Sequence, residues 1–162
     1  MSRRDEITAA ARALLEDDGP EALTMRNLAG RLGIKAPSLY KHVKNRREIE
    51  TLLAAEALKE IGSALAAESE LTAMGRAYRR WALANPGLYR IATTRPLDRE
   101  NLPAGVEEAA AAPLIEAVGG QQDRARATWA LAHGLTMLEL DGRFPADADI
   151  DAAWATGLSG LR

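Results

Sequence analysis

The sequence predicts an all-α protein, a small N-terminal three-helix domain followed by a larger helical bundle. Two observations carry that reading. Alanine and leucine dominate the apolar set, 33 and 22 residues against 7 isoleucines and 3 valines in a chain of 162. Strands favour β-branched and aromatic side chains, whereas helices favour Ala and Leu, which lose little rotamer freedom there. Apolar residues also recur at i, i+3, i+4 and i+7, and Gly, Pro and Asn punctuate the chain at helix-length intervals.

Ile7, Ala11, Leu14 and Leu15 mark a first amphipathic helix that stops at Gly19-Pro20. Thr24 is an N-cap for a short second helix with Leu28 and Leu32 inward, broken by Gly33. A third helix is expected from Ala36 to His42, with Pro37 in its first turn and Leu39 and Val43 inward. Asn45 with Glu48 reads as a capping box opening a fourth helix to about Ala66, striped by Ile49, Leu52, Leu53, Ala57 and Ile61. A fifth spans Leu71 to Ala84, and Asn85 caps a short sixth through Ala92. Residues 103–118 are helical by their alanines, but Pro113 is expected to kink or split them. Residues 122–141 form the most broadly apolar helix, and Asp149 or Asp151 caps a last one at 149–161. The resulting division is a part of short helices at 1–46 and a larger helical part at 47–162.

The chain has no cysteine and only two histidines, His42 and His133. This excludes a disulfide framework, a thiolate zinc site and a cysteine nucleophile, and it leaves no metal site or cofactor to expect. No apolar run approaches the roughly 20 residues that span a bilayer, and the N-terminus lacks a signal-peptide core. A cytoplasmic protein with no membrane partner is expected. The net charge of −2 hides a segregation, because residues 26–47 carry seven basic side chains and no acid. Such a local excess is a footprint for a polyanion.

The second and third helices are separated only by Gly33-Ile34-Lys35. A short Gly-containing connection between two short helices is the helix-turn-helix arrangement. The second helix braces, and the third enters the major groove of double-stranded DNA, which is wide enough for one helix. Thr24 brings a hydroxyl beside helix N-terminal amides, a natural contact for phosphate.

Residues 5–50, centred on LTMRNLAGRLGIKAPSLYKHVKNRREI, resemble the N-terminal domain of tetracycline-repressor (TetR) family regulators. Thr-x-Arg, Leu-Ala-x-x-Leu-Gly, Pro-Ser-Leu-Tyr and His-Val-Lys-Asn fall in one register. The resemblance implies that Arg26 reaches the bases, and that Lys35, Ala36, Pro37, Ser38 and Lys41 occupy the variable, base-reading start of the recognition helix. It implies a phosphate clamp of Tyr40, His42, Lys44 and Arg46. Lys41 and Lys35 stand where the family's namesake has a tryptophan and an acid, so a different operator is expected.

The C-terminal part is expected to form a homodimer through helices near 122–141 and 149–161, since such reading heads commonly bind two half-sites. Trp129, His133 and Gly134 resemble a TetR C-terminal subtype marked by Trp and His-Gly. An unknown small-molecule effector would be lined by Met74, Tyr78, Trp81, Tyr89, Trp129, His133 and Met137. Asp147-x-Asp149-x-Asp151 fails as a calcium loop, having Ala152 and Leu158 at the required Gly and Glu, and Gly119-Gly120 lacks the remainder of a phosphate loop. No nucleophile–base pair stands out, so an enzyme is not expected. The expected function is a ligand-released repressor. The alternative is a helical DNA-binding or protein-interaction module that senses nothing.

Overall fold

Nine α-helices and one 3₁₀ turn make up the computed structural model over its described residues, 2–160. They sort into two compact units, one of residues 1–58 with 85–106 and one of 59–84 with 107–162. The partition by packing therefore differs from a cut at residue 46. The first half of the fourth helix and all of the sixth belong with the N-terminal helices.

The first unit begins with α1 (Arg3–Asp18), closed at its start by a reciprocal cap in which Ser2 Oγ accepts from Asp5 N and Asp5 accepts from Ser2 N. Gly19, at φ 82°, ends it in a conformation that side chains other than glycine rarely adopt. After the 3₁₀ turn Pro20–Ala22 come α2 (Met25–Arg31), α3 (Ala36–Leu39), α4 (Arg46–Ala66), which enters both units, and α6 (Pro86–Thr93). Ile7, Leu15, Leu23, Leu28, Leu39, Ile49, Leu53 and Leu88 are sealed from solvent and form the core of this unit.

Three local expectations are corrected here. The third helix ends at Leu39, and residues 40–42 continue as turns, with Tyr40 N to Ala36 O and Val43 N to Leu39 O. Pulling Val43 into the core ends the regular spiral early. Glu48 accepts from Lys44 N at 2.7 Å, one residue before the expected partner, while Asn45 Oδ1 accepts from Glu48 N. Asn85 makes no side-chain cap; the α6 amides of Gly87 and Leu88 donate to the Glu16 carboxylate at 3.0 and 2.8 Å. A charge near a helix N-terminus also opposes the macrodipole. A Cβ on Gly87 would lie 3.0 Å from Leu15 Cγ, so a glycine permits this approach.

The second unit holds the end of α4, then α5 (Leu71–Ala84), α7 (Val106–Ala117), α8 (Gln122–Leu140) and α9 (Ile150–Ser159). Pro113 does not split α7, which runs through it uninterrupted. One proline removes a single N–H from the ladder, and bonds such as Val118 N to Leu114 O hold the helix beyond it. Asp149 caps α9 through Ala152 N at 2.9 Å. Residue 161, the last of the predicted 149–161 stretch, lies outside the described residues.

Arg79 joins three helices of this unit. Its guanidinium forks onto both oxygens of Glu139 at 2.7 and 2.8 Å and also meets Asp151. The Glu139 hydrogen bonds are the main reason its pKa is raised above an already high value. Among the helical threonines, Thr51, Thr93 and Thr128 back-bond to the carbonyl four residues earlier. Thr136 is fully buried and its Oγ1 has no partner. Thr136→Val should therefore stabilise the fold by about 1 kcal/mol, since the swap removes an unsatisfied hydroxyl at near-constant volume. A lower melting temperature for the variant would contradict that.

Candidate functional site

α2 and α3 pack against one another across the predicted turn, where Gly33 has φ 65° and Ile34 N bonds Ala29 O. Leu28, Ala29 and Leu39 face inward. Their outward neighbours Arg26, Lys35, Pro37, Tyr40, Lys41, His42 and Lys44 are exposed, and Tyr40 keeps 53% of its surface in solvent. Ala36, Ser38, Thr24 and Arg46 are half-buried. Burying a large aromatic is the default, so an open Tyr40 on a small domain is an informative exposure.

The seven basic residues of 26–47 divide into two groups. Arg31 pairs with Asp17 and, at 3.7 Å, Asp18; Arg46 Nε bonds Glu50 at 2.8 Å and its Nη2 bonds Pro20 O at 3.1 Å; Arg47 bonds Asp98 at 3.0 Å. These three are held by their own chain. Asp98 lies below the usual carboxylate range, chiefly because the Asn101 amide donates to it, with Arg47 adding to the effect. Arg26, Lys35, Lys41 and Lys44 have no carboxylate partner among the described residues. Four unneutralised cations thus lie at the start of α2, the entry to α3 and the turn after it.

Thr24 Oγ1 accepts from Asn27 N at 3.1 Å, so the hydroxyl caps α2 and only its proton remains to donate outward. The start of α4 is not a bare positive end. The Glu48 carboxylate sits there, bonded to Lys44 N and to Arg4. Sequence spacing showed the basic cluster but not which of its members were already paired. The partners lie as far away as Asp98.

Six of the seven residues singled out for effector contact lie in the second unit, on the mutually packed α5 and α8, and one, Tyr89, lies in the first. Met74 and Tyr78 are buried in the second unit, whereas Tyr89 is fully buried in the first. Trp81 is half-buried and donates to Glu60 at 2.9 Å; His133 and Met137 are half-buried; Trp129 is 48% exposed. Trp129 and His133 stack with ring centroids 5.9 Å apart. A groove of about 540 Å³ between α5 and α9 contains none of the seven. Its wall includes Arg76, Arg79 and Arg80, whose i, i+3, i+4 spacing was the available sequence signal, and Trp154.

Burial lowers the His133 pKa below its ordinary value of 6.5. The unfolded chain then binds a proton more readily than the folded one, so stability falls as pH drops through 6.5 and levels off below the lowered value. The melting temperature should fall more between pH 7.5 and 5.5 in the native protein than in His133→Asn. Equal falls would show that His133 contributes nothing to the pH response.

No helix of the described residues is long and apolar enough to cross a membrane. Family models match at both ends, "Bacterial regulatory proteins, tetR family" over residues 7–49 and "Tetracyclin repressor-like, C-terminal domain" over 71–161. An uncharacterised HTH-type transcriptional regulator of Mycobacterium tuberculosis is 30% identical over 93% of this chain and 76% of its own. The class D tetracycline repressor protein of Escherichia coli is 47% identical over 34% of this chain, a quarter of the repressor's length. A TetR variant of Acinetobacter baumannii AYE, crystallised with minocycline, superposes with a TM-score of 0.70 at 27% identity, covering 99% of this chain and 94% of that one. With the reading head, the bundle and the fold all matched, the chain belongs to the TetR family and is a DNA-binding transcriptional regulator.

Proposed function

We propose that two copies of this chain form a cytoplasmic repressor that binds a palindromic operator and leaves it when a small effector binds the C-terminal unit. The observation carrying this reading is the concentration of unpaired cations around an exposed Tyr40 on the helix-turn-helix. α3 enters the major groove, where Arg26, Lys35, Ala36, Pro37, Ser38 and Lys41 face base edges. Tyr40, His42, Lys44 and the Thr24 hydroxyl hold phosphates, and Arg46 fixes the backbone beneath them through Pro20 O. In this division residues 1–46 read DNA and 47–162 serve dimerisation and sensing. The dimer forms through α8 and α9, supported by Trp129 and Leu138, large apolar side chains that a lone chain leaves 48% and 45% exposed.

The test is binding of the purified protein to an inverted repeat in the DNA flanking its gene. Four free cations per protomer, whether facing base edges or phosphates, bring eight positive charges per dimer into the field of the phosphate backbone, so log K should fall with log salt at a slope of about −7. Tyr40→Ala should weaken binding alike for all sequences, while Arg26→Ala should also relax base preference. A flat salt response, or equal affinity for scrambled DNA, would refute specific repression.

A further inference from the structure

We propose that the groove between α5 and α9 binds a small amphipathic carboxylate, and that this is the effector of the repressor proposed above, a reading on which the effector part rests. At about 540 Å³ the groove has the size of a small-molecule site. Leu83, Trp154 and Leu158 supply an apolar surface, and arginines 76, 79 and 80 supply charge. These cations are not equivalent. Arg79 is saturated by Glu139 and Asp151, which also neutralises the one acid on the groove wall. Arg80 has only Glu68, at 3.9 Å. Arg76 is exposed and has no acidic partner among the described residues. An apolar bed beside a free guanidinium selects a ligand with an apolar body and one planar anion, because the guanidinium fork matches a carboxylate.

Trp154 is 95% buried on the groove wall, being 5% exposed, yet its Nε1 has no hydrogen-bond acceptor. Buried indole N–H groups ordinarily find an acceptor. This one is sealed from solvent and unsatisfied within the chain itself, so recognition of an acid in the groove rests on Arg76. Gly75 sits under this tryptophan, since a Cβ there would approach the ring at 3.3 Å, so the indole is packed tightly from the α5 side.

The experiment is isothermal calorimetry on the full chain with three probes of matched length, sodium octanoate, octan-1-ol and octylamine. Octanoate should bind saturably at one site per protomer, octan-1-ol at least roughly ten-fold more weakly, and octylamine not at all. Arg76→Gln should bring octanoate down to the affinity of the alcohol without altering the ligand-free melting temperature, and Arg76→Lys should restore most of the difference. Octanoate should also weaken operator binding by the native protein and not by Arg76→Gln. Equal binding of acid and alcohol, no saturable octanoate binding, or an unaffected Arg76→Gln overturns the site. Octanoate binding with unchanged operator affinity overturns its role as effector. Operator binding without ligand is measured separately, so its failure refutes the repressor reading and leaves the calorimetry to judge the groove.

Discussion

Replacing Lys41 and Lys44 together by glutamate should lower affinity for operator DNA by about a thousand-fold or more, with no loss of folded protein. Neither side chain has an acidic partner and both are exposed, so reversal removes nothing from the fold. Each reversal turns an attraction to the polyanionic duplex into a repulsion, and the proposed dimer carries four of them. The salt dependence should change with the affinity. Losing four of the eight free cations should cut a slope of about −7 to roughly half. The comparison variant is Arg47→Glu, which loses a pair with Asp98 but no free cation. If that variant impaired DNA binding as severely as the double reversal, the division into free and committed cations would be wrong. Filter binding across a salt series, with circular dichroism as the check on folding, measures all of these quantities.

Gly62→Ala should destabilise the protein by about 2 kcal/mol, although the same exchange in an exposed helix interior stabilises by up to about 1 kcal/mol. The sign is reversed by packing. Gly62 lies in α4 against the alanine-rich α7, and a Cβ there would stand 2.9 Å from Ala110 Cα and 3.5 Å from Ala109 O. The obstacle is backbone, so no side-chain rotation relieves it. For a chain of this size the melting temperature should drop by about 4–8 °C, and Gly62→Val should cost more. Gly134→Ala is the internal control, because a Cβ there meets nothing within 4 Å of its own chain. If Gly62→Ala were neutral or stabilising, the two helices would not approach as closely as the structure shows.

Much of the architecture was legible because helical periodicity and breakers are local signals. The fifth helix spans Leu71–Ala84 as predicted, the fourth ends at Ala66, and the eighth closes at Leu140, one residue short of expectation. The departures share a cause in contacts between residues distant in sequence. Asn85 had the composition of a cap, but Glu16 reaches the α6 amides from another helix. The last turn of the third helix was lost where Val43 joined the core. Trp129 and Leu138, counted as apolar helix faces, are open in the single chain. The same limit applies to the site. The basic run 26–47 was visible as a sum of charges, whereas the withdrawal of Arg31, Arg46 and Arg47 depended on acids 4 to 51 residues away. The groove carried the faintest sequence signal, since Arg76 and Trp154 are remote in sequence and ordinary one at a time.

The Glu16 clasp on α6 has a consequence for anyone wishing to exchange reading heads between regulators. A hybrid cut at residue 46 would strand the Glu16 carboxylate without its two amide donors and strip Leu88 and Tyr89, both 0% exposed, from the surface they cover. Arg12 would also lose its bonds to Glu56 and to Asn85. The transferable cassette is discontinuous, residues 1–58 together with 85–106. Hybrids built on both segments should remain soluble and fold cooperatively, while those joined at a single seam should aggregate.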